Sequence, residues 1–213
     1  ENTGSDMYVN MGASLLELQG MLSLQGEYPF LAAYVHNKFK EMDYRLFEAS
    51  SVRFIDITHF EGIRVYQRTL FFTLAKAVHD LWPSRTFRVK HAVSKGFYCE
   101  IEGMDDVSEE EVGRLKERMA ELVKQDIPIV KERLLRGEAE ELYERMHAYD
   151  KLALIKTRPK LYAKIYRLAD IAANMFGSVA LSTGALYLYD IRKYFNGIYV
   201  SIPRRRAPQQ LEP

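Results

Sequence analysis

The segment Gly62 to Trp82 constrains this chain most. Ile63, Leu70, Leu74, Val78 and Leu81 recur at helical spacing and Pro83 stands just past the end. One long helix with a continuous apolar face must therefore find a layer to cover it. Its most apolar stretch, Leu70 to Val78, is broken by Lys76, and no run of about 18 apolar residues occurs, which excludes a membrane-spanning helix. Of the 213 residues, 47% are hydrophobic and 28% charged, enough apolar area to offset the entropy of ordering the chain and to exclude disorder. A single cysteine, Cys99, excludes a disulfide framework and a multi-cysteine zinc knuckle. No secretory leader pattern is visible, so a cytoplasmic protein of one domain or two is expected.

Shorter elements surround this helix. Asn2 to Ser5 is turn-like and Met7-Tyr8-Val9 strand-like; a turn with no strand before it is what a clipped chain would present. Ser14 and Glu17 form a capping box that opens a short helix with Leu15, Leu18 and Leu22 on one face, ended by Gly26 and Pro29. Phe30 to Val35, a turn at His36-Asn37-Lys38, Phe39 to Met42 and Ser51 to Asp56 follow as short strands. Beyond the long helix, Phe87 to Ser94 and Phe97 to Ile101 flank a hairpin turn at Lys95-Gly96. Ser108 and Glu111 make a second capping box, leading a helix with Val112, Leu115, Met119 and Leu122 inward. Pro128 interrupts an extended Ile127 to Val130. Two short helices (137–149 and 150–157) and three strands (161–168, 185–189 and 197–202) complete the pattern. The fold class is α+β.

The net charge of +1 hides a split. Residues 1–99 carry 11 basic and 10 acidic side chains, 100–147 carry 8 and 15, and 148–213 carry 11 and 4. Either the opposed segments pack together as mixed surface, or the basic part faces a polyanion such as a nucleotide or nucleic acid. Tyr162, Tyr166, Tyr187, Tyr189, Tyr194 and Tyr199 share that basic part. Interleaved aromatics and cations can stack bases and hold phosphates, and tyrosine at period two equally suits a half-exposed strand.

The sequence Phe30 to Phe39, Met42 to Leu46 and Val52 to Ile55 resembles a TGS domain, the small β-grasp unit of threonyl-tRNA synthetases. The remainder is similar to those enzymes' second additional domain, shared with the alanyl-tRNA synthetase editing module. The matching pieces are Ala77 to Pro83, Gly96 to Ile101, Gln125 to Pro128, Tyr166 to Asp170 and Ser182 to Gly184. The pairing of the two units, with Phe54 to His59 and Ile202 to Arg205, resembles the N-terminal half of bacterial uridine kinase-like proteins. The resemblance implies a TGS-like domain at 1–60, an editing-like module at 61–203, and a basic linker at 204–213 toward a C-terminal kinase domain, the expected partner. No P-loop motif occurs, so ATP and Mg are expected only in that missing domain, with no cofactor and no catalysis in this segment. A nucleotide or RNA is the expected ligand.

The editing family places two histidines four apart on the long helix, so that both imidazoles share one face, and a Cys-x-x-x-His pair later. The matching positions here are Arg68 and Phe72, then Met175 and Val179. None supplies an imidazole or thiolate, so the resemblance implies a degenerate editing site. The pocket candidates are Arg68, Phe72, Met175, Val179, Lys95 and Tyr98. The leading expectation is a regulatory, ligand-binding region of a nucleoside kinase; the alternative is an RNA- or tRNA-binding module, or a deacylase with altered chemistry. Surface or capping roles are expected of His36, His59, His79, His91 and His147, and a core role of Cys99. Asp105-Asp106 and Glu109 to Glu111 read as a loop and a helix start, or as a cation site.

Overall fold

A computed structural model of the chain describes residues 2–4, 6–146, 148–157 and 159–211. Ser5, His147 and the last two residues of the expected linker lie outside them. The fold is α+β, and every strand pairing is antiparallel.

The N-terminal part contains α1 (Leu15–Met21) and strands β1 (Ala32–Val35), β2 (Lys38–Lys40) and β3 (Val52–Ile55), in the order β2-β1-β3. The Ser14–Glu17 box closes reciprocally: Ser14 Oγ accepts from the Glu17 amide and the Glu17 carboxylate accepts from the Ser14 amide. Helix α1 ends at Met21, before Gly26, because Leu22 already sits as its C-cap. His36 and Asn37, both at positive φ, make the two-residue turn. Leu15, Leu18, Ala33, Val35, Met42, Leu46 and Phe54 form this part's apolar cluster. Met7-Tyr8-Val9 does not form the expected strand. Met7 and Tyr8 point into solvent, and no described strand accepts a ladder from them.

Helix α2 (Phe60–Leu81) organises the rest. Against its inner side lies a four-stranded sheet, β4-β5-β10-β9, built from β4 (Thr86–Val93), β5 (Gly96–Glu102), β9 (Asp190–Tyr194) and β10 (Gly197–Ser201). Helix α3 (Glu109–Lys124), capped by the Ser108–Glu111 box, packs beside α2 and buries Val112, Leu115, Met119 and Leu122. Val65, Tyr66, Leu70, Leu74 and Val78 of α2 join them in the main core with Cys99 and Ile101 of β5. The β4–β5 turn falls on Ser94-Lys95, Ser94 taking the positive φ, and Gly96 opens β5.

A second sheet, β6-β7-β8, comprises β6 (Ile129–Leu135), β7 (Tyr162–Leu168) and β8 (Ile171–Ala173). Helices α4 (Arg136–Arg145) and α5 (Tyr149–Lys156) close one face of it through Ala139, Leu142, Tyr143, Leu152, Ile155 and Ile165. The strand expected at 185–189 is absent. Its Leu186 is drawn into the main core and Tyr66 holds the Leu188 backbone from both sides, its hydroxyl donating to the carbonyl and accepting from the amide. The ladder begins only at Asp190. The arginine-rich tail does not trail away: Tyr187 donates to the Pro208 carbonyl, and Gln209 donates to Glu27. Among the described residues no helix is long and apolar enough to cross a membrane.

Gly62 is where the N-terminal part meets α2. A Cβ there would stand 1.7 Å from the Asp56 carbonyl oxygen, which is backbone and cannot rotate away. Gly62→Ala is expected to lower stability by about 1–3 kcal/mol through this overlap, read as a lower urea midpoint with an unchanged slope.

Candidate functional site

The loop 175–180 is docked onto α2 by bonds from its backbone to two side chains of the helix, Thr69 and Arg68. Thr69 donates to the Val65 carbonyl inside the helix and accepts from the Ala180 amide at 2.8 Å. From the preceding residue, an Nη of Arg68 donates to the Ser178 carbonyl at 3.4 Å. Gly177 sits at φ +122°, a conformation that glycine takes at little cost, with the guanidinium lying where a side chain would be: an added Cβ would stand 2.4 Å from Arg68 Cζ. Desolvation here lowers the Arg68 pKa from its ordinary value.

The four positions 68, 72, 175 and 179 therefore converge, though not as one open pocket. Phe72 and Val179 are buried with Ile129, Tyr166 and Leu168, and Met175 packs on them. An apolar plug fills the space beneath Arg68, because large side chains stand at three of the four places. Arg68 faces outward instead, into a cavity of about 430 Å³ that it lines with Arg64, Gln67 and Phe71. Arg64, Gln67 and Phe71 escaped the sequence analysis. The signal available was Arg64 and Arg68 at i, i+4 with an aromatic at i+7.

Lys95 and Tyr98 are not part of this cluster. Phe97 meets Phe71 of α2 edge-on with ring centroids 5.1 Å apart, and the two-residue period of β5 turns Tyr98 to the opposite face, against His91 and Tyr194. Lys95 is exposed in the β4–β5 turn.

Two charged clusters were not foreseen. The first surrounds Glu41, which follows β2. Its carboxylate is nearly covered and accepts from Lys131 Nζ at 2.6 Å, Lys164 Nζ at 3.2 Å and the Tyr166 hydroxyl. Burial alone would raise its pKa, but the bonds from Lys131, Ser178 and Tyr166 outweigh it and hold the group down at about 2. Tyr166, buried beside that anion, is raised far above an ordinary phenol. The second cluster surrounds Lys76, the residue that breaks the apolar run. Its ammonium is buried and bound by Asp80 and Asp170, Asp80 also takes Arg118 at 2.8 Å, and His79 Nε2 lies 3.5 Å from Asp170. These bonds outweigh desolvation and raise the Lys76 pKa. The pairing locks the β7–β8 turn to α2, and every charge in it has a partner.

The remaining candidates have structural roles. His59 is the N-cap of α2, its Nδ1 accepting from the Glu61 amide; His36 occupies the β1–β2 turn, and His91 lies against Tyr98 with the rings tilted by 50°. Cys99 is fully buried, and burial pushes its thiol up to about 12. Asp106 pairs with Lys193 at 2.9 Å and Glu111 closes its capping box. Among the described residues, no three His, Cys, Asp or Glu side chains are grouped as a metal would need.

The fold and site together define an α+β scaffold of antiparallel sheets with an arginine-lined hollow over a sealed apolar plug. No family model matches the chain. It is similar to the Threonine--tRNA ligase of Rubrobacter xylanophilus, 26% identical over 189 residues, 89% of this chain and 29% of that protein. The ligases of Syntrophomonas wolfei (27% over 184 residues) and Clostridium kluyveri (25% over 182) match 86% and 85% of this chain and 29% of their own lengths. The chain thus spans under a third of the length of these relatives.

Glu41 has a depressed pKa, so its contribution to stability is complete above the unfolded carboxylate value, near 4.5, and is lost as pH falls through its folded value of about 2. The stability gap between wild type and Glu41→Gln is expected to be constant above about pH 5 and to close between there and about pH 2, measured by urea melts followed through Trp82.

Proposed function

We propose that this chain is an aminoacyl-tRNA-binding module of the editing-domain type, which holds the acceptor end of a tRNA without hydrolysing its ester through the family's four positions. The carrying observation is the hollow lined by Arg64, Gln67, Arg68 and Phe71, which shares Arg68 with the four positions where the resemblance puts the editing residues. Two guanidiniums four residues apart on one helix face can clamp a phosphate, and an adjacent ring can take a base. Similarity to threonine–tRNA ligases over most of the chain supports the same substrate class. By that resemblance residues 1–60 are its TGS-like unit and 61–203 its editing-like unit.

Chemistry argues for binding over turnover. A hydrolase needs a base poised near neutrality. Glu61, beside the hollow, pairs with Arg64 at 3.5 Å, and Glu41, reached through Ser178, is held ionised and occupied by its bonds, with its pKa down at about 2. Cys99 is protonated and inaccessible. Arg68, Phe72, Met175 and Val179 offer neither nucleophile nor base. The kinase appendage draws no support from these relatives, which are ligases, and stands on Phe54 to His59 and Ile202 to Arg205 alone.

A fluorescein-labelled RNA hairpin with a single-stranded CCA end is expected to bind with an affinity that falls steeply with salt. The Arg64→Ala, Arg68→Ala double variant is expected to bind about tenfold more weakly and to flatten the log–log salt slope by about 1.4, two single-strand phosphates' worth. Mischarged tRNA incubated with the protein is expected to lose its amino acid at the background rate. Absence of binding at low salt overturns the assignment, and release well above background overturns its non-hydrolytic part.

A further inference from the structure

The face of the β6–β7 pair that meets α2 at Ile129, Tyr166 and Leu168 carries, farther along, a row of cations that no stretch of sequence groups. Lys131 and Arg133 come from the acidic middle of the chain and Lys164 from its basic end. The antiparallel register sets Arg133 opposite Lys164 and Lys131 opposite Tyr166, so all four side chains, with Tyr162, share one face. The Arg133 guanidinium lies over the Tyr162 ring at 4.1 Å and Lys164 Nζ over Tyr166 at 4.9 Å. Like charges directly across a ladder repel. Here Lys131 and Lys164 are held together by two carboxylates from a distant loop: Glu41, which takes Lys131, Lys164 and Tyr166, and Asp43, 2.7 Å from Lys131 Nζ. Glu41 stands as one anion among several convergent donors, the surroundings that a phosphate group seeks. Ser178 links the row to the hollow, bonding Glu41 with its side chain and taking Arg68 on its carbonyl.

We propose that the β6–β7 face is a phosphate track for single-stranded RNA leading to the Arg64–Arg68 hollow, and that Glu41 and Asp43 occupy it in the free protein as an internal anion that incoming RNA displaces. The inference rests on the RNA-binding assignment above and adds a surface and its self-inhibition. Tyr162, exposed under Arg133, supplies a stacking platform beside the track, and Lys131, Arg133 and Lys164 supply its charge. The Glu132–Arg167 pair, at 2.7 Å, lies on strand positions of the other face and does not compete.

The probe is a fluorescein-labelled single-stranded RNA 12-mer ending in CCA, followed by anisotropy over a salt series. Glu41→Gln with Asp43→Asn is expected to bind about five- to tenfold more tightly than wild type, with a salt slope steeper by about 0.7 for each phosphate newly engaged. Lys131→Ala with Arg133→Ala, which leaves Arg64 and Arg68 in place, is expected to weaken binding and flatten the slope. Because Glu41→Gln also removes a buried ion cluster, the exposed Asp43→Asn is measured alone, and hydrogen exchange is measured on the wild type. Saturating RNA is expected to raise exchange at residues 41–43. A folded carboxylate variant that binds no better than wild type overturns the proposal, as does unchanged protection at 41–43 with RNA bound; a purely structural Glu41 would lower the melting temperature and leave affinity alone. If the wild type binds no RNA at low salt, the binding assignment itself fails, an outcome distinct from binding that ignores Glu41 and Asp43.

Discussion

Helix α2 is the constraint on which the rest of the molecule depends. It is buried over most of its circumference: Val65, Tyr66, Thr69, Leu70, Phe72, Thr73, Leu74, Lys76, Ala77 and Val78 are all covered, and a narrow side through Arg64, Gln67, Arg68 and Phe71 meets solvent. Leu70 and Leu74 serve the core under the four-stranded sheet, whereas Phe72 serves the smaller cluster under β7. A helix buried this widely must satisfy any polar group it carries. Thr69 does so by tying down the loop at Ala180, and Lys76 by drawing in Asp80 and Asp170. The Thr69–Ala180 and Lys76–Asp170 contacts fix where the loop 175–180 and the β7–β8 turn lie.

Much of the fold was legible because the local signals were strong. Both capping boxes close as Ser14–Glu17 and Ser108–Glu111, and the His36-Asn37 turn forms because an asparagine tolerates positive φ. The segments that carried the resemblance turn out to touch one another. The Thr183 amide donates to the Ile127 carbonyl and its hydroxyl accepts from the Ile127 amide, joining 125–128 to 182–184, while Asp170 meets Lys76 and His79. They are joints of the scaffold, which is why they are recognisable even where the site residues differ. Legibility ended where long-range pairing decides. Met7 to Val9 has strand composition but no ladder, and the β9 segment, Asp190 to Tyr194, has a ladder without strand composition.

The candidate site shows the same division. The register taken from the resemblance puts 68 and 72 on one helix face and 175 and 179 in one loop, and in the structure that loop docks on that helix. Whether the place would be hollow depended on volume, and Phe72, Met175 and Val179 fill it. Glu41 had no signal at all: a glutamate after a short strand is ordinary, and its partners lie about 90 and more residues away. Lys76 had one, a charge inside an apolar stripe. Segment-by-segment charge counting also misplaced the basic surface, since β6 carries its cations out of the acidic middle and sets them beside those of β7.

Cys99 gives the molecule an internal clock. It is the chain's only cysteine, it lies on β5 between Val89 and Ile198 on the flanking strands, and it is wholly covered. Its thiol is protonated at any physiological pH, so a thiol reagent can reach it only in molecules whose central sheet has parted. The rate of its alkylation therefore counts openings of that sheet, and a ligand seated on the outside of α2 or on the β6–β7 face would slow the count without touching the sulfur.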